Sequence, residues 1–306
     1  MLLSKLPKTD NLGWPWNEET DSAIYANKCS WPKISIVTPS FNQGQFIEET
    51  IRSVLLQNYP NLEYIIIDGG STDNTVEIIK KYEQWITYWI SESDNGQSDA
   101  INKGLKLASG EVLNWLNSDD FLANDALFHI GSEDWNSEVG AVVGTGHKVN
   151  DEGVVLYTPK LSELSTEAFY NWIDHGHFMQ PACFFSRNAW LSCGPINEQL
   201  FFCMDVELWI KISKMFIFKR IFHSIAFAHA HSNAKTTAFV DKMKIETYMM
   251  VAANGNFTLG RNLLYEFLER KVERNSLKHI LGRLKHNIVT SLKSFIFFNE
   301  DINSSS

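Results

Sequence analysis

Between residues 33 and 122 short apolar runs alternate with helical patterns, and this rhythm constrains the fold more than any other feature of the chain. Ile34-Ser-Ile36-Val37 reads as a strand closed by Thr38-Pro39-Ser40. Phe46, Ile47, Ile51, Val54 and Leu55 then recur at helical spacing. Leu62 to Ile67 is a second apolar strand that ends at Asp68-Gly69-Gly70, and a helix with Val76, Ile78 and Ile79 follows. Trp85 to Ile90 and Glu111 to Leu116 give two more strands, with a helix over Asp99 to Leu107 between them. Such alternation predicts a Rossmann-like α/β domain: a mostly parallel sheet with helices on both faces. Ligands of these sheets sit beyond the carboxyl ends of the strands. The polar clusters Pro39 to Asn42, Asp68 to Asp73, Ser91 to Gly96 and Asn117 to Asp120 fall there. The rhythm alone leaves the chemistry open.

After Gly140 the pattern loosens. Ala141 to Val143 and Val154 to Leu156 flank Asn150-Asp-Glu-Gly153, a hairpin signal. Glu163 to Trp172, Asp205 to Met215 and Asp241 to Arg274 read as helical, and Lys219 to His231 as extended. Residues 1–31 carry Pro, Trp and polar residues without clear periodicity and form a leading arm. Near the end, Ile280, Leu281, Leu284, Ile288, Leu292 and Phe295 make one helical stripe beside Lys, Arg and His. Two readings of it stay open: a peripheral membrane contact through anionic headgroups, or a closing helix packed on the domain or in a homodimer.

Composition narrows the partners. Lys and Arg total 27 against 36 for Asp and Glu, a formal net charge of −9. This acidic balance argues against nucleic-acid binding, which needs a basic footprint. A single small anion can still be held through a bound cation. Four cysteines without a CxxC pair do not suggest a zinc cluster. No secretory h-region opens the chain and no apolar run is long enough to span a bilayer, so a cytoplasmic location is expected.

Two acidic clusters stand at predicted strand ends. In Asn117-Ser-Asp119-Asp120 adjacent carboxylates repel each other. A Mg²⁺ or Mn²⁺ ion would relieve that and leave positions open for a diphosphate; alternatively, Asp-Asp-Phe-Leu opens a helix. In Asp68-Gly-Gly-Ser-Thr-Asp73 the glycines allow close backbone approach to a ligand, or simply make a tight strand-to-helix turn. No GxGxxG follows the first strand, which lowers the case for a nicotinamide or flavin domain.

Seven stretches in order carry a resemblance: Ile36-Val-Thr-Pro-Ser-Phe-Asn42, Ile67-Asp-Gly-Gly-Ser-Thr-Asp-Asn-Thr75, Ser91 to Gly104, Leu116-Asn-Ser-Asp-Asp120, Gln180-Pro-Ala-Cys-Phe-Phe185, Met204-Asp-Val-Glu-Leu-Trp209 and His231-Ser-Asn-Ala-Lys-Thr236. Together they resemble family 2 of the inverting glycosyltransferases with the GT-A fold, of the bacterial surface-polysaccharide type. The resemblance implies a catalytic domain over 32–236, with a nucleotide-binding half at 32–122 and an acceptor half at 123–236. Residues 237–306 would be a helical appendage. It implies a nucleotide-sugar donor, with UDP favoured, and a glycan or lipid-linked acceptor; on the membrane reading of the C-terminal stripe the enzyme would work at the inner face of the cell membrane.

The same resemblance assigns roles. Pro39, Ser40, Phe41, Asn42, Asp68 and Ser71 would meet base and ribose, Asp68 accepting from the nucleobase, with Asp94 and the turn from Gly96 to Asn102 beneath ribose and diphosphate. Asn117 stands where the family has the first Asp of its D-x-D motif. Asp119 is therefore the expected metal ligand, with His231 as a second and His229 as its alternative. Asp120 would hold the donor sugar or a metal-bound water. Asp205 is the implied general base, with an N-cap role as the bland alternative. Gln180 and His177 are candidates for acceptor contacts. A nucleotidyltransferase would carry a basic Gly-rich loop after the first strand, and Pro39 to Gln45 has no Lys or Arg. A non-catalytic relative is disfavoured because Asp119, Asp205 and His231 are all present.

Overall fold

The computed structural model describes residues 1–150, 152–160, 163–175, 178–230 and 239–275. Strands β1 (Ile34–Ser40), β2 (Leu62–Asp68), β3 (Tyr88–Ser91) and β4 (Val112–Trp115) pair in parallel in the order β3-β2-β1-β4. Ser40 lies opposite Asp68, Asp68 opposite Ser91, and Val37 opposite Trp115. Their carboxyl ends therefore share one edge, as the alternation predicts. The third strand starts later than expected because Glu83–Trp85 forms a 3-10 turn.

Helices α1 (Ile47–Leu55), α2 (Thr75–Tyr82) and α3 (Gln97–Leu107) cover the two faces. Successive residues of a strand feed opposite cores, as the period of two requires. Ile34, Ile36 and Ile66 pack with Ile51, Val54 and Ile79. Val37, Ile65 and Ile67 pack with Ile101, Leu105 and Trp115 on the other side. Coverage of both faces explains why β1 is buried at every position.

The other half of the sheet is mixed. After β5 (Asp120–Leu122) and α4 (Ala126–Ser132) come β6 (Val139–Val149), β7 (Val155–Tyr157), β8 (Cys183–Ser186) and β9 (Ile217–His229). The order continues β4-β8-β6-β9-β5; β8 is antiparallel to both neighbours, β6 and β9 are parallel, and β5 and β9 antiparallel. The expected hairpin is present, with β7 paired to the end of β6. Asp120 belongs to a strand, with Asp120 opposite Ala228, so the helix-opening reading of Asp119-Asp120 is wrong. Four helices surround this half: α5 (Thr166–Tyr170), α6 (Trp172–His175), α7 (Arg187–Cys193) and α8 (Met204–Ser213).

The single helix expected over 241–274 is two, α9 (Val240–Ala253) and α10 (Phe257–Asn275). Gly255 between them takes φ +107, a left-handed conformation that ends α9 and lets α10 fold back. The leading arm is docked: Leu6, Tyr25 and Trp31 are buried in the core beneath α1. A buried Arg52 on α1 holds the arm by donating to the carbonyls of Pro7 (3.1 Å), Pro15 (3.1 Å) and Trp16 (2.5 Å). Cys183, Cys193 and Cys203 are buried, Cys29 is exposed, and none is in a disulfide. Among the described residues no helix is long and apolar enough to cross a membrane. The basic stripe from Ile280 to Phe295 lies outside the described residues.

Candidate functional site

At the shared carboxyl edge, the first two loops are laced together. Asn42, with φ +52, donates its backbone N–H to Ser71 Oγ (2.7 Å), and its side-chain oxygen accepts from Thr72 N (2.8 Å). Gln43 N donates to Thr75 Oγ1 (2.9 Å) and Gly44 N to Asp73 Oδ2 (3.0 Å). Asp68 is fully buried and organises this corner. Its oxygens accept from Ser71 Oγ (2.5 Å), Ser71 N (2.9 Å), Gly70 N (3.2 Å) and Ser91 Oγ (2.6 Å). Asp68 thus shapes the loop from beneath. Phe41 is left 58% exposed at the mouth, an aromatic face free to stack on a planar ring. The hydroxyl of Ser40, the last residue of β1, is buried without a protein partner among the described residues. A bound molecule would satisfy it.

The third loop closes against the second. A Cβ on Gly69 would come within 2.7 Å of Asp94 Oδ2, so only glycine lets that carboxylate approach the backbone. Asp94 Oδ1 accepts from the N–H of the left-handed Gly96 (2.8 Å), and Asp99 Oδ2 accepts from Asn95 N (2.9 Å). Pro39, Ser40, Asn42, Asp68, Ser71, Asp94 and Gly96 therefore line one connected edge. The Asn102 amide bonds Ile196 N and O (both 2.9 Å) and Glu198 Oε1 (3.0 Å), tying α3 to the segment that follows α7.

The Asn117–Asp120 turn is fixed from three sides. Thr50 Oγ1 of α1 donates to the carbonyls of Ser118 (3.0 Å) and Asp120 (2.7 Å). Asn117 accepts from Gln97 Nε2 (2.7 Å) and donates to Asp120 Oδ2 (2.9 Å). Gln180 donates to the Trp115 carbonyl (2.8 Å), beside the turn. Burial and the adjacent Asp119 charge push the Asp120 carboxyl well above the usual carboxylate range, though bonds from Asn117 and the His229 backbone oppose this. A divalent cation would relieve this like-charge conflict, so the donors present suit a hard ion. Among the described residues no group of three or more His, Cys, Asp or Glu gathers around a common point. His231, the second expected ligand, and His177 lie outside the described residues. The alternative, His229, has its ring between Phe46 and Phe121 and donates through Nε2 to the Glu49 carboxylate (2.9 Å) on α1.

Asp205 is the second residue of α8. It is half-buried, and loss of water around it pushes its carboxyl up to about 6, with the Glu246 charge adding to the rise; the backbone N–H groups of Val206 and Asp205 oppose it. The start of α3 connects the two carboxylate sites. Gln97 reaches Asn117, while the next residue, Ser98, donates to Met204 Sδ (2.8 Å), adjacent to Asp205. One helix turn thus spans from the paired carboxylates to the lone one. Behind them Trp115 and Trp209 stack with ring centroids 5.5 Å apart. Sequence reasoning missed Thr50, and it placed Gln97 and Ser98 in the turn beneath the donor without their contacts to Asn117 and Met204. Gln97 and Ser98 lay in a motif stretch, but nothing local says which way a side chain turns.

A family model described as Glycosyl transferase family 2 matches residues 35–193, more than half of the 306 residues. An uncharacterized glycosyltransferase of Mycobacterium tuberculosis is 42% identical over 92 residues, covering 30% of this chain and 35% of that protein. The chain thus spans about a third of that relative's length. S. aureus TarS 1-349 in complex with UDP-GlcNAc superposes with a TM-score of 0.57 at 18% identity, over 79% of this chain and 73% of that one. A mannosyltransferase of Pyrobaculum calidifontis in complex with GDP-Man and Mn²⁺ gives a TM-score of 0.57 at 14% identity, over 97% and 88%. These two likenesses concern the fold, a mixed α/β sheet of the GT-A type. With the family match over the loops described above, the chain belongs to glycosyl transferase family 2.

Proposed function

We propose that the chain transfers a sugar from a nucleotide-sugar donor to a hydroxyl of a glycan or lipid-linked acceptor, with inversion in a single displacement. The observation that carries this reading is the first turn of α3, which links the Asn117–Asp120 carboxylates to Asp205 through Gln97 and Ser98. A diphosphate held at the first and an acceptor hydroxyl at the second would face the anomeric carbon from opposite sides.

Asp119 and the diphosphate would hold Mn²⁺ or Mg²⁺, with His231 as a further ligand; when bound, that ion supplies Lewis-acid stabilisation of the leaving diphosphate. Phe41 offers a stacking face to the base, and Ser40 an unsatisfied hydroxyl. The laced loops fix ribose and diphosphate contacts before the donor arrives, which lowers the ordering cost of binding. Asp205 accepts the proton of the acceptor hydroxyl as its oxygen attacks the anomeric carbon and the bond to the diphosphate breaks. A base poised near pH 6 is ionised at neutral pH and still basic enough to work. A UDP-sugar is favoured as donor on the family resemblance; the fold is shared equally with a UDP-GlcNAc complex and a GDP-Man complex.

Thermal-shift titration of UDP-, GDP- and dTDP-sugars, with Mn²⁺ or with EDTA, tests the donor side. One nucleotide should stabilise the wild type in Mn²⁺. EDTA or Asp119→Ala should each weaken it by about 10–100-fold, as loss of metal-site groups does. Equal affinity in all four combinations contradicts the metal role of Asp119.

A further inference from the structure

We propose that Glu246, on α9, is the positioning residue that fixes the start of α8 and thereby the aim of Asp205. Glu246 Oε1 accepts from Phe202 N (2.6 Å), Cys203 N (3.0 Å) and Cys203 Sγ (3.3 Å), and Oε2 from Phe201 N (3.0 Å). Three successive backbone N–H groups leading into α8 thus converge on one carboxylate from a distant helix. The N-cap of α8, Cys203, offers no side-chain cap of its own. The first N–H groups of a helix lack internal partners, and here Glu246 gathers those just ahead of the helix. Asp205 follows two residues after Cys203, so a shift of this segment moves the carboxylate with it.

Charge acts alongside geometry. Among the described residues the titratable groups that act on Asp205 are Glu246 from α9, the Cys203 thiol ahead of α8 and the Cys183 thiol of β8. Both thiols are buried and held well above their ordinary range, so they stay neutral. Glu246 is then the acidic neighbour that makes Asp205 more basic. Glu246 lies beyond the 35–193 family match, on a helix whose sequence carries no motif.

The proposal rests on Asp205 being the general base, and the test separates the two ideas. Measure kcat, kcat/KM against pH and donor affinity for wild type, Glu246→Gln, Glu246→Asp and Asp205→Asn. Glu246→Gln should lower kcat about tenfold, since misplacement of about 1 Å costs up to about 10²-fold. It should leave donor affinity within about twofold and move the acidic limb of kcat/KM to lower pH. Glu246→Asp keeps the charge on a shorter arm, so kcat should fall while the limb stays near its wild-type position. A merely structural cap would lower melting temperature without moving the limb. Wild-type kcat with an unmoved limb in Glu246→Gln overturns the proposal, as does an equal limb shift in both variants. If Glu246→Gln does not fold, an unchanged kcat in Glu246→Asp overturns it. Activity of Asp205→Asn within about threefold of wild type sinks the base reading and this proposal together.

Discussion

From β1 to β4 the loops that would meet the nucleotide are tied mainly to one another, as when Asp68 takes bonds from Gly70, Ser71 and Ser91 and Asn42 bonds Ser71 and Thr72. Beyond Gly140 the proposed base is tied from other elements: Asp205 sits on a helix start gathered by Glu246 of α9 and reached by Ser98 of α3. Ties among the strand-end loops would make a donor pocket that is set before any ligand arrives. Ties from separate helices would make an acceptor side whose geometry depends on the whole domain being assembled. The two halves should therefore fail differently when cut.

The largest difference is expected from Asp205→Asn. It should lower turnover by about 10²–10⁴-fold, the usual worth of a general base, and leave donor affinity within about threefold. In the wild type kcat/KM should rise with pH through about 6 and level off above it, because the base must be ionised. The stability sign runs the other way. The folded value lies above the ordinary 3.8, so folding takes up a proton between them and wild-type stability falls as pH rises from about 4 to about 6. The amide cannot ionise, so Asp205→Asn should melt no lower than wild type at pH 7.5. Loss of donor binding in this variant would erase the contrast between the halves.

A smaller effect, confined to the donor half, is expected from Arg52→Met. It strands the carbonyls of Pro7, Pro15 and Trp16, of which that of Pro15 is buried, at about 2–3 kcal/mol of stability, and should expose residues 1–31 to limited proteolysis. Unchanged melting and an uncut arm would show that Arg52 is not what holds it.

How much of this was legible in the sequence follows the same division. The parallel strands, their carboxyl-edge loops and the place of Asn117, Asp119 and Asp120 at that edge came from periodicity and motifs, because strand spacing alone sets where each loop emerges. The break at Gly255 and the strand at Asp120 were not legible: the first needs a left-handed residue inside a helical pattern, the second a partner strand more than a hundred residues on. Arg52 reads as a solvated helix residue, yet the arm buries it. Glu246 reads as one acidic residue on an ordinary helix. Side chains that select the sugar come from scattered loops, which no short motif encodes.

Single displacement by one base is the central claim, and the configuration of the product tests it most directly. With the matching donor and Mn²⁺, the anomeric proton of the newly transferred sugar can be followed by NMR from the first turnovers. The account predicts the anomer opposite to that of the donor. A product that keeps the donor's configuration would require a second displacement or front-side attack, and would contradict the role given to Asp205.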